Sequence, residues 1–220
     1  MGNENKVRPK GFRKWIENFW YYYKYHTVVA IVVVLTLSVS ITQCATRTKY
    51  DYQFVLATAS AEMAPTQIEA IKNELLKYCE DVNGDGEVNV NLIDCTFNEV
   101  KSVKQTIDSK RQRIQSIVMS EQDILVYFMD KACFEWLDSV IDGGFMEDLG
   151  LSTENGKYFS LTETELYKNA KEGFDTTYTW PNELLVSRRI VKDTLIEKDK
   201  KVIVSLKKAD AFIEKLIKAY

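Results

Sequence analysis

The apolar and polar positions of the chain follow three different rhythms. Between Lys24 and Arg47, residues 25–46 carry no formal charge, and their centre reads TVVAIVVVLTLSVSIT. As a helix rising ~1.5 Å per residue, this run covers ~33 Å, close to the ~30 Å hydrocarbon thickness of a bilayer. A helix apolar all round needs partners on every side in water, whereas lipid surrounds it at no cost in backbone hydrogen bonds. The run predicts a transmembrane helix.

Ahead of it, Phe12, Trp15, Ile16, Phe19, Trp20 and Tyr23 recur at spacings of three and four, one stripe of a helix. Arg13, Lys14, Glu17 and Lys24 lie off that stripe. This predicts a helix lying in the headgroup region before the chain turns to span. The stretch WYYYKYH supplies an aromatic belt that holds His26, the single histidine.

Beyond Arg47, short apolar runs alternate with helical periodicity. YQFVLATA (52–59) predicts a buried strand. Thr66 and Glu69 after Pro65 have the spacing of a capping box, with Ile68, Ile71, Leu75 and Cys79 continuing one helical face. In EVNVNLIDC, Val88, Val90 and Leu92 alternate with polar residues as in a strand. A helix over about 99–119 follows, with Val100, Val103, Ile107, Ile114 and Ile117 inward. DILVYFMD (123–130) is the most apolar strand. The helix after it carries Cys133, Trp136, Leu137, Val140 and Ile141 and stops at Gly143-Gly144. LSTENGKYFSLTE reads as loop and NELLVSRRIV (182–191) as a further strand. The end, from Val202 to Tyr220, reads as a final helix in which 201–206 also has strand character. The repeated strand–helix order predicts an α/β fold, a mainly parallel sheet of three to four strands with helices on both faces.

Charge sets the orientation. Residues 1–26 hold six Lys/Arg (Lys6, Arg8, Lys10, Arg13, Lys14, Lys24) against Glu4 and Glu17, a net +4. With the chain at -3, the remainder carries -7. A basic leading side stays in the cytoplasm. The expected organisation is a cytoplasmic basic and aromatic interfacial segment at 1–24, a transmembrane helix at 25–46 and an extracytoplasmic domain at 47–220. Cys44 follows ITQ, which matches a lipoprotein box loosely because Gln43 stands where a small residue is usual. An acidic domain outside the cell argues against a nucleic-acid partner.

Candidate chemistry is sparse. In DVNGDGEVNV, Asp81, Asn83, Asp85 and Asn89 match calcium-loop positions 1, 3, 5 and 9. Position 12 is Leu92, which offers no side-chain oxygen, and the residues that ought to leave as a helix alternate like a strand. An Asn-Gly-Asp-Gly turn accounts for the same residues without a cofactor; weak calcium binding at Asp81, Asn83 and Asp85 is the alternative. Cys79 and Cys95 are expected at opposite ends of a strand, ~20 Å apart and beyond disulfide reach. Cys95 and Cys133 are expected at one sheet edge as buried thiols. No nucleophile–base pair and no phosphate loop stands outside the membrane run. Asp94 and Asp130 both finish strands at the carboxyl edge, where open α/β sheets bind ligands.

The order of elements from Tyr52 to Gly150, with WLDSVIDGGFMEDLG, resembles the first lobe of bacterial extracytoplasmic solute-binding proteins. Together with the anchor, the chain is also similar to the uncharacterised single-pass envelope proteins of Gram-positive Firmicutes. The resemblance implies a ligand at strand ends, here Ser60, Asp94 and Asp130. Only about 70 residues follow Gly150, too few for a second lobe. The expected function is therefore a tethered, non-enzymatic domain that binds a protein or other envelope component. The alternatives are a reduced module for a small solute, a weak calcium binder and, last, an acid–base hydrolase using the two carboxylates.

Overall fold

The structure, a computed structural model, describes residues 11–45, 49–141, 144–150 and 156–218. Glu4, Lys6, Arg8 and Lys10 of the basic arm, the side chains of Arg13 and Cys44, Arg47, Gly143 and Tyr220 lie outside that description. The chain forms two compact units, Met1–Thr48 and Lys49–Tyr220.

The first unit is helix α1, Phe12–Ala45, 34 residues and thus ~51 Å long. It is the one helix among the described residues long and apolar enough to cross a membrane. The expected turn between an interfacial and a spanning segment is absent, and α1 runs unbroken through Lys24 and Tyr25. No proline or glycine interrupts it, so nothing in this stretch forces a kink. The aromatic stripe forms a ladder up one face: Phe12, Trp15, Phe19, Tyr23 and His26 stand with successive ring centroids 6.3, 5.7, 5.3 and 6.3 Å apart. Farther along, the hydroxyls of Thr36, Ser38, Ser40 and Thr42 each donate to the carbonyl four residues back. An apolar surrounding then meets these four hydroxyls already satisfied.

The second unit is the expected α/β fold, with five strands in its main sheet. Its elements are β1 (Tyr52–Ala57), β2 (Ser60–Ala61), α2 (Pro65–Leu76), β3 (Val90–Asp94), β4 (Phe97–Asn98), α3 (Lys104–Ser120), β5 (Val126–Met129), α4 (Lys131–Val140), β6 (Tyr158–Ser160), α5 (Glu165–Lys171), β7 (Leu185–Arg188) and α6 (Lys200–Lys218). The sheet order is β3-β1-β5-β7-β6. β3 and β5 flank β1 in parallel; β7 is antiparallel to β5, and β6 to β7. Four of the five strands therefore point the same way. A two-stranded sheet of β2 and β4 stands apart.

Alternation along β1 sends its side chains to two cores. Tyr52, Phe54 and Leu56 pack with Ile71 and Leu75 of α2, Tyr167 of α5 and Phe212 of α6. Val55 and Ala57 pack with Ile114 and Val118 of α3 and with Cys133 and Leu137 of α4. Helices thus cover both faces of the sheet, each contributing an apolar stripe.

Local details depart from expectation for identifiable reasons. Pro65 takes the first helical position of α2, so Ala64 becomes the cap and Gln67, not Glu69, reaches back: its Oε1 accepts from Ala64 N at 2.8 Å. Val100 and Val103 are 95% and 70% exposed rather than inward. The Asn98 Oδ1 accepts from Val100 N and Lys101 N, holding a turn where periodicity alone predicts helix. At the far end of α4, Val140 and Ile141 are exposed. The stretch expected as loop after Gly150 contains β6, with α5 close behind, and 201–206 is helix.

Candidate functional site

The three parallel strands lie in the order second, first, third, so connections leave β1 and β5 in opposite directions. A ligand crevice in such sheets opens between those two strands at their carboxyl ends. Ser60 follows β1 and Asp130 follows β5, and the fold brings them together. Asp130, 4% exposed, accepts through Oδ2 from Ala59 N (2.8 Å), Ser60 N (2.8 Å) and Ser60 Oγ (2.7 Å). Its Oδ1 accepts from Cys133 N at 3.0 Å and so caps α4. Two loop N–H groups and a helix N-terminus are the donors an anionic ligand would use at this place. Here the protein's own carboxylate takes them.

Asp94 is held apart from that pair. Its Oδ1 accepts from Thr96 N and Thr96 Oγ1, both at 2.8 Å, and its Oδ2 lies 3.6 Å from Lys110 Nζ. Thr96 Oγ1 in turn accepts from Met63 N at 3.1 Å. Asp94 therefore braces the loops over the crevice. No hydrogen bond or ion pair among the described residues joins it to Asp130.

Over this edge the short β2–β4 pair forms a rim, with Asn98 Nδ2 donating to Ser60 O at 3.0 Å. Outside the rim lies an open depression of about 460 Å³, lined by Glu62, Met63, Pro65, Asn98, Lys101 and Thr179. Next to Thr179 is a feature that sequence reasoning passed over. Phe174 meets Tyr178 and Trp180 edge to face, with centroids 4.9 and 5.4 Å apart. With Lys171 they line a second depression of about 530 Å³. Hydrogen bonds from Gln67 Nε2 to Thr179 O (3.1 Å) and from Tyr167 Oη to Pro181 O (2.6 Å) fix this loop. The signal in the sequence was three aromatic residues crowded into the turn-rich stretch FDTTYTW.

The acidic loop is a turn built on Asp51. Buried at the start of β1, Asp51 accepts from Val82 N and Asn83 N through Oδ1, both at 3.0 Å, and from Asn89 N through Oδ2 at 2.9 Å. Burial alone would raise its pKa, but these N–H groups and the Lys208 ammonium outweigh it and leave the carboxyl below its ordinary range. Asp81 accepts from Gly84 N (2.6 Å) and Gly86 N (2.8 Å), Asn83 from Asp85 N (2.9 Å), and Asp85 from Glu87 N (3.0 Å). Gly84 and Gly86 have φ of 75° and 89°. Asp81, Asn83 and Asp85 of the calcium-like pattern thus point side-chain oxygens at backbone N–H groups, while Asn89 enters through its own N–H. Among the described residues no three His, Cys, Asp or Glu side chains group as metal ligands.

Cys79, Cys95 and Cys133 are buried free thiols. Burial pushes Cys79 up to about 12 and Cys95 up to about 11. Burial and the adjacent Asp130 carboxylate push Cys133 higher still.

No family model, curated protein or solved structure matches this chain.

Proposed function

We propose that the chain is a single-pass membrane protein whose C-terminal domain stands outside the cell and binds an envelope component without catalysing a reaction. The observation that carries this reading is α1, a helix long enough to span, free of charge from Tyr25 to its end at Ala45 and preceded by the Lys/Arg excess. Support for a binding role comes from the strand-end edge. Its one buried carboxylate is saturated by four hydrogen bonds, its second is braced by Lys110 and Thr96, and its thiols are raised far above the pH of reaction. Groups so engaged serve as scaffold rather than as acid, base or nucleophile.

A second reading, capture of a small solute, is favoured by the two depressions beside Thr179, of a size suited to small ligands. In that reading the solute sits on the rim above Ser60 and Asp130, because the donors of the crevice itself are occupied.

Protease added to intact cells expressing the full chain tests the topology. The expected result is loss of the C-terminal domain with a protected membrane fragment that begins at the N-terminus. A C-terminal domain that survives on intact cells but is cut after lysis sinks the proposal. A thermal-shift screen of the full chain against sugars, peptides and amino acids then separates the solute reading from the macromolecular one.

A further inference from the structure

The outward face of α6 has no partner within the domain. One side of the helix buries Val202, Ala209, Phe212, Ile213 and Leu216. On the opposite side Lys200, Val204, Lys207 and Ala211 follow one another at spacings of four, three and four, all exposed, with Ile203 beside them. The helix as a whole holds six lysines against Asp210 and Glu214, a net +4. Both acids are engaged, Asp210 with Arg188 and Glu214 with Lys218. Lys200, Lys201 and Lys207 make no ion pair among the described residues. Cations interleaved with short aliphatic side chains are the chemistry of a surface that meets lipid headgroups.

Chain length says which lipid is within reach. Lys208 Nζ donates to the Asp51 carbonyl at 3.1 Å, so the middle of α6 is fastened to the point where β1 begins. Only five residues separate Asp51 from Ala45, the last residue of α1; the six Cα–Cα steps give a covalent reach of at most ~21 Å. Lys208, the neighbour of Lys207 in α6, is thus held at the far end of a short covalent link to the spanning helix. Such confinement acts as a high effective concentration of membrane surface. We propose that the Lys200–Val204–Lys207 face of α6 rests on the phosphates of an anionic bilayer leaflet and orients the domain. The inference rests on the membrane-anchored reading above.

The same edge carries an opposing patch. Asp81, Asp85 and Glu87 sit in the turn that hangs from Asp51, while Glu80 beside it pairs with Lys215 of α6. An anionic surface repels that turn and attracts α6, so the two patches select one roll of the domain about its tether. The strand-end rim lies at the other end of β1 and stays open to solution.

Full-length protein in nanodiscs tests this, with lysine acetylation read residue by residue by mass spectrometry. Discs of phosphatidylcholine alone are compared with discs containing phosphatidylglycerol. Lys200, Lys201 and Lys207 are expected to react about fivefold more slowly in the anionic discs. High salt reverses that protection, and Lys101 at the strand-end rim does not change. Equal rates in both discs, with the chain properly inserted, overturn the docking and leave the anchor standing. Failure of the chain to enter either disc overturns both. Protection by soluble polyphosphate but not by phosphatidylglycerol would assign the face to a soluble polyanion and reject the bilayer.

Discussion

Ser60 Oγ donates a 2.7 Å hydrogen bond to Asp130 Oδ2 across 70 residues of sequence, closing the crevice between β1 and β5 from inside. Replacement of Asp130 by Ala strands the N–H groups of Ala59, Ser60 and Cys133 and removes the cap of α4. The expected loss is about 2–4 kcal/mol, with Asp130→Asn costing less and Ser60→Ala about 1 kcal/mol. Thermal denaturation of the two single variants and the double variant is expected to show strong coupling; additive losses would refute the link.

Asp51 predicts a response to acid. Its folded pKa is depressed, so its contribution is fully present above the unfolded value of about 3.9 and is lost as pH falls through the lower folded value. Asp138, half-buried but held down by Lys157 and by the N–H groups of Met146 and Phe145, acts in the same direction. The melting temperature is expected to fall steeply below about pH 4, and Asp51→Asn to flatten that limb while lowering stability at neutral pH. An unchanged slope in the variant would remove Asp51 from the account.

The thiols predict slow chemistry. With Cys79 raised to about 12 and Cys95 to about 11, the thiolate is scarce at pH 8, and burial blocks access as well. Iodoacetamide is expected to leave the peptides carrying Cys79, Cys95 and Cys133 unmodified in the native protein and to label all three after unfolding in guanidinium. A disulfide between any two would appear as a mass lower by two hydrogens.

For the turn at 81–89, the prediction separates conformation from ligation. Gly84→Ala and Gly86→Ala place a Cβ on a left-handed backbone and are expected to cost about 1 kcal/mol each. Millimolar calcium and a chelator are expected to leave the melting curve unmoved. A rise in melting temperature with calcium, abolished by Asp81→Asn, would restore the loop as a binding site.

The sequence announces what depends on period and omits what depends on pairing. β1, β3 and β5 were legible because each is a dense or alternating apolar run, and α4 and α6 because their stripes are regular. β6 spans only three residues, too short for alternation to register, and it is ordered by β7 rather than by its own pattern. The antiparallel direction of β7 is set by its neighbours β5 and β6, which no local signal encodes. At the site, strand-end position was enough to bring out Asp94 and Asp130. That one would cap a helix while the other drew in Lys110 depends on loop paths of two or three residues. Val100 and Val103 mislead for the same reason: the Asn98 side chain decides where α3 begins.

The chain enters the folded domain through Lys49 and passes at once into β1, which has β3 on one side, in register from Tyr52 to Leu56, and β5 on the other, in register from Phe54 to Ala57. Tension arriving along that strand loads both ladders lengthwise, so their hydrogen bonds must shear together instead of unzipping one at a time. Attachment through an edge strand would leave a single ladder to carry a pull and peel; entry through an interior strand such as β1 spreads it over two.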